Sequence, residues 1–161
     1  MGVRDLAYQA YEKRLLRSLN KSQVPRHVGV ILDGNRRWAR AFGMDASSGH
    51  RRGADKIEDL LGWCEDAGVE VVTLWLLSTD NLARAGDELA PLLRIIEDVV
   101  RELAVQRRWR LHPVGALDLL PAETARVLKE SAADTAGVDG LLVNVAVGHG
   151  GRREIADAVR S

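Results

Sequence analysis

Three short clusters in this sequence have the residue types that hold anions. They are Asp33-Gly34-Asn35-Arg36-Arg37-Trp38, Ser78-Thr79-Asp80-Asn81 with Arg84 close behind, and Gly148-His149-Gly150-Gly151-Arg152. Each follows directly on an apolar run. Gly34, Gly150 and Gly151 allow close backbone approach and unusual torsions. Helix starts after such turns present N–H groups to an anion. Arg37, Arg84 and Arg152 are candidate cationic clamps for phosphate oxygens. Asp33 amid these cations suits a metal-bridged diphosphate, because a hard carboxylate holds Mg²⁺ while water and phosphate oxygens fill its other positions. An acid directly after a buried strand costs stability unless something satisfies it. Structural readings stand beside these. Trp38 also fits a core-closing role, Arg36 and Arg40 a solvated surface, and His50 either a helix cap or a phosphate contact. His112 reads as structural.

The elements that must position these clusters follow from periodicity. Residues 4–19 read as an amphipathic helix with Leu6, Ala10, Leu15 and Leu19 near one side. Residues 1–24 thus form an N-terminal helix and linker, ended by "NKSQVPR". Residues 27–32 are a short buried strand, 41–49 a loop, and 50–68 a helix stopped by Gly68. "VEVVTLWLL", 69–77, is too continuously apolar for a sheet with one wet face. A polar loop precedes a long helix, 87–107; 109–115 is a strand, 121–134 a helix, 140–148 a strand, and a helix opens after Gly150. Strands alternating with helices predict an α/β fold, a single domain over 1–161 with a parallel sheet and helices on both faces. In such sheets ligands bind beyond the carboxyl ends of the strands, so all three clusters face one rim.

Composition narrows the class. Of 161 residues, 46% are hydrophobic and 29% charged, which is a globular and not a disordered composition. Basic and acidic residues balance at 23 each, without the basic excess of a nucleic-acid binder. One cysteine, Cys64, supports neither a disulfide framework nor a zinc quartet, and its apolar setting reads as core. The start has no signal-peptide pattern, and no window reaches the roughly 18 consecutive apolar residues of a membrane span. The expected compartment is the cytoplasm.

The segments "HVGVILDGNRRWAR", "GHRRGADKI", "TLWLLSTDNLAR" and "NVAVGHGGRREI", in this order, resemble the cis-prenyltransferases, the Z-isoprenyl or undecaprenyl diphosphate synthase family. The likeness runs from about residue 25 to the end and is strongest to the short-chain actinobacterial branch. It implies that an allylic diphosphate loses its diphosphate while isopentenyl diphosphate attacks the allylic carbon, and that a proton then leaves to give a cis double bond. By the same resemblance Asp33 is the Mg²⁺ residue and is catalytic with Asn35 and Ser78, the pair near the departing proton. Gly34, Asn35, Arg36, Arg37 and Trp38 form the allylic diphosphate region. His50, Leu76, Ser78, Asn81 and Arg84 complete the substrate site. A homodimer is implied, with peripheral membrane contact through the lipid product and no nucleic acid.

The sequence departs from the family at Asp80, where glutamate is usual, at Leu82, where an aromatic is common, and at Ala85, where proline is frequent. Ala46 aligns with an arginine of many relatives, for which Arg51 or Arg52 is the expected substitute. The chain stops at Ser161, inside the helix after Gly-Gly-Arg, so the resemblance implies an incomplete domain, inactive alone. Leu76, two residues before Ser78, points the same way by strand alternation and narrows an elongation channel. That predicts a short product, Z,E-farnesyl diphosphate from geranyl diphosphate. Two rivals are a non-catalytic partner subunit of the same fold, which the presence of Asp33 opposes, and an unrelated phosphate-binding α/β enzyme. The latter lacks its loop, since G-x-x-x-x-G-K-[ST] is absent and "GHGGRRE" does not fit G-x-G-x-x-G.

Overall fold

The computed structural model describes residues 3–43, 45–82 and 86–160. The side chains of Arg36, Trp38, His50 and Arg152, and Arg84 entirely, lie outside the described residues. Four strands form one parallel sheet: β1 (His27–Ile31), β2 (Val71–Ser78), β3 (Arg110–Val114) and β4 (Leu142–His149), in the order β1-β2-β4-β3. The helices are α1 (Val3–Ser18), α2 (Asn35–Ala41), α3 (Ala46–Ala54), α4 (Ile57–Ala67), α5 (Thr79–Leu82), α6 (Gly86–Gln106), α7 (Ala122–Thr135) and α8 (Gly151–Arg160). No described helix is long and apolar enough to cross a membrane.

The parallel α/β reading therefore holds, but its layers are uneven. Val72, Leu74 and Leu77 of β2 and Val143, Val145 and Val147 of β4 are buried, packed with the α6 stripe of Leu92, Leu93, Ile96, Val99, Val100 and Leu103. Each such side chain contributes about 1.5–3 kcal/mol by leaving water. The other sheet face is half-open among the described residues. His27, Gly29 and Ile31 of β1 are exposed, and Val71, Thr73 and Trp75 of β2 are only partly covered. The expectation of a buried first strand is corrected by this alternation. Its physical basis is a polar row across three strands. His27 Nε2 lies 2.8 Å from Thr73 Oγ1, which accepts from Asn144 Nδ2 at 3.1 Å. These groups satisfy one another across the strands.

Two helical expectations also change. The supposed helix over 50–68 is two, α3 and α4, separated at Asp55 and Lys56. Part of the supposed loop at 41–49 is helical, because Asp45 caps α3 by accepting the Ser48 N–H at 2.7 Å. Gly68 ends α4 as foreseen, at φ +89°, where a side chain would be strained. The supposed core stripe is exposed at Ala10 and Leu15 of α1 and at Leu19 just beyond it, and its Leu6 side chain lies outside the described residues.

Candidate active site

The sharp change after β1 has a local explanation. Gly34 adopts φ +85°, a torsion natural to glycine, and turns the chain into α2. Asp33 Oδ1 accepts the Gly34 N–H, and the other carboxylate oxygen lies 3.6 Å from Arg37 Nη2, one helical turn on. Both side chains are about four-fifths exposed, at 80% and 82%. A pair so wetted and so long contributes under about 1 kcal/mol, so an incoming anion or cation redirects it at little cost. Asn35, half-buried at the first position of α2, donates its amide Nδ2 to the Leu32 carbonyl at 3.3 Å.

The second cluster is set by an irregular strand. Pairing of β2 with β4 runs in step to Trp75 and Ala146, then jumps to Leu77 with Val147 and Ser78 with His149. Leu76 is thus an extra residue on β2, and Gly148, at φ +68°, is the one skipped on β4. Bulges of this kind re-aim side chains beside functional sites. Ser78 Oγ accepts the Asn81 N–H at 3.2 Å and so opens the single turn α5. Gly150 fits against α5 because it lacks a side chain; a Cβ there would strike the Thr79 hydroxyl. Beside it, the His149 ring meets Trp75 edge-on at 4.5 Å.

Between these segments lies a cavity of about 550 Å³. Its mouth carries Asp33, Gly34, Asn35, Arg37, Ser78 and Asn81, and its depth is apolar: Leu76 with Ala54, Ile57, Leu92, Ile95, Ile96 and Val99. Seven of the expected residues are therefore brought together. Leu76 and Ser78 share the cavity as expected, although the bulge and not simple alternation places them there. The expected roles of Arg36, Trp38, His50 and Arg84 fall on parts outside the described residues. Neither Arg51 nor Arg52 lines the cavity; Arg51 instead donates to Asp98 of α6 at 2.7 Å, across the α3–α6 contact. The third cluster stands on the same rim, yet none of its described residues lines this cavity. The walls from α4 and α6 read in the sequence only as core. Their signal was an apolar stripe, which looks the same whether it packs on protein or on a ligand chain. Cys64 takes no part, since burial pushes its thiol above the ordinary value and keeps it protonated.

An anionic mouth-binder with a hydrocarbon tail matches this shape. Residues 31–161 match the family model described as "Putative undecaprenyl diphosphate synthase". The chain belongs to this family. Among its relatives, "Isoprenyl transferase 1" of Streptomyces avermitilis is 59% identical over 99% of this chain and 62% of its own length. The "(2Z,6E)-farnesyl diphosphate synthase" of Thermobifida fusca is 64% identical over 96% of this chain and 61% of its own. The crystal structure of lavandulyl diphosphate synthase from Lavandula x intermedia, in complex with dimethylallyl diphosphate, superposes with a TM-score of 0.80. It is 30% identical and covers 85% of this chain and 60% of that one. The chain thus spans about three fifths of the length of these cis-prenyltransferases.

Proposed function

We propose that the protein condenses isopentenyl diphosphate with an allylic diphosphate to give a Z-prenyl diphosphate, with geranyl diphosphate as acceptor and Z,E-farnesyl diphosphate as product. The carrying observation is a polar, mixed-charge mouth on a cavity of about 550 Å³ with apolar depth. Arg37 and the main-chain N–H groups of the Gly34–Arg37 turn hold the allylic diphosphate. The allylic C–O bond breaks with its electron pair leaving on the diphosphate, and the isopentenyl double bond supplies the new C–C bond. Asn35 and Ser78 orient the carbon whose proton leaves, its C–H pair becoming the cis double bond and the proton passing to the released diphosphate. Asp33 is the residue to hold Mg²⁺. A single carboxylate of this kind would hold the ion together with water and substrate oxygens. When bound, Mg²⁺ neutralises charge on the leaving diphosphate. The proposal extends to a cytoplasmic homodimer that touches membranes only through its lipid product, and this part rests on the family likeness alone.

Leu76 sets the length. It projects from the bulge into the apolar depth, where each added prenyl unit must pass. Overfilling a packed site by a few methylenes costs about 1–3 kcal/mol, enough to slow elongation by roughly tenfold or more. Product analysis by mass, with isopentenyl and geranyl diphosphates and Mg²⁺, is the test on the full-length protein. Wild type should stop after one condensation, and Leu76→Ala should shift products to longer chains. No condensation by wild type would refute the function; an unchanged length distribution in Leu76→Ala would refute the gate alone.

A further inference from the structure

Asn35 occupies a seat that only glycine can provide. A Cβ built on Gly53 of α3 would lie 2.7 Å from both Nδ2 and Oδ1 of the Asn35 amide. One turn earlier on the same face, a Cβ on Gly49 would run into the Asn35 carbonyl oxygen and come within 2.9 Å of the Ala39 side chain. The two glycines, four apart, therefore cut a notch in α3 that receives the first turn of α2. Their consequences differ. At Gly49 the obstacle is backbone, which cannot yield without moving α2. At Gly53 it is the end of a side chain, which can. Asn35 borders a second cavity of about 440 Å³, lined also by Gly49, Gly53, Arg52 and Lys56, so a displaced amide has room to turn.

We infer that Gly53 is a positioning residue for the condensation proposed above, acting through Asn35 by the absence of its own side chain. The Leu32 carbonyl holds the amide from one side at 3.3 Å, and the bare Cα of Gly53 lets it settle from the other. A methyl at 53 replaces this seat with a collision. Asn35 must then leave the rotamer in which it borders the cavity, while diphosphate contacts at Asp33 and Arg37 remain. Misplacing a reacting group by about 1 Å can cost on the order of 10²-fold in rate. Turnover should fall, and affinity for the allylic diphosphate should change little.

The experiment compares wild type, Asn35→Ala, Gly53→Ala and the double variant in the full-length protein, by kcat, KM for geranyl diphosphate and melting temperature. Gly53→Ala should lose roughly 10- to 10²-fold in kcat with KM little changed. In the Asn35→Ala background the same substitution should cost nothing further, because the group it displaces is gone. Losses that multiply in the double variant would overturn the inference, since they would show a role independent of Asn35. If Gly53→Ala alone fails to fold, the collision predicts that the double variant folds; failure of both would likewise refute it. Full turnover in Asn35→Ala would sink instead the reading of Asn35 on which this inference rests.

Discussion

The two ends of the sheet use charge in opposite ways. At the amino end, Arg26 ahead of β1 meets Glu70 ahead of β2 through Nε at 3.0 Å from both carboxylate oxygens and Nη2 at 2.7 Å from one. The Arg26 carbonyl also accepts from Glu70 and Val71 N–H groups at 3.0 Å. Nearby, Glu65 of α4 accepts from Arg108 at 2.7 Å and from the indole N–H of fully buried Trp109 at 3.3 Å, while the Arg108 guanidinium lies 4.9 Å over the Trp109 ring. These groups complete one another and fasten strand starts to helices. At the carboxyl end, Asp33 and Arg37 face each other at 3.6 Å with most of their surface in water. The amino-end charges are matched at hydrogen-bond distance, although the Arg26 side chain is as exposed as that of Arg37. Charges at the ligand rim keep their capacity for something else.

The largest expected effect sharpens this contrast at the rim. For the proposed condensation, Asp33→Ala should lower turnover measured with Mg²⁺ by at least about 10²-fold, the scale of one strong electrostatic contributor. Its unfolding free energy should stay within about 0.5 kcal/mol, as for other exposed substitutions. Near-normal turnover would break the assignment of this rim.

At the opposite end the signs reverse. Glu65→Ala removes the acceptor of a buried indole N–H and should destabilise the fold by about 1–3 kcal/mol, read by chemical denaturation. Turnover per folded molecule should be unchanged. A catalytic loss without a stability loss would erase the distinction between the two ends.

The smallest effect is in pH dependence. The Arg26 guanidinium bonded to Glu70 holds that carboxyl below its ordinary value. A carboxyl depressed in the folded state adds stability that is complete above its unfolded value and is lost as pH falls through the folded one. The melting-temperature gap between wild type and Glu70→Gln should therefore be full at neutral pH and narrow on acidification through and below the ordinary carboxylate range. A gap that is flat with pH would show that the ion pair contributes nothing. The exposure of both partners keeps the expected gap small.

The same contrast explains what was legible from sequence. The Asp33-Gly34-Asn35 turn was readable because its chemistry is local: an acid, a positive-φ glycine and a helix start lie next to one another in the chain. The bulge at Leu76 was not. It exists only relative to β4, some seventy residues further along, and β2 read alone looks like an unbroken apolar strand. Gly53 read as an ordinary helical position because the atoms that need its emptiness belong to a residue 18 positions earlier. Arg51 looked free to serve the diphosphate until its ion pair with Asp98 accounted for it.

Sequence alone determined the α/β alternation, the single parallel sheet and the rim where polarity collects. It did so because period-two and helical periodicities, turn glycines and caps depend on neighbours in the chain. Tertiary structure decided which sheet face forms the core, where the helix over 50–68 breaks, how Leu76 enters the cavity and why Asn35 can sit where it does. Those depend on register and on close contact between segments distant in sequence, where a single carbon atom decides whether two helices fit and no pattern along the chain records its partner.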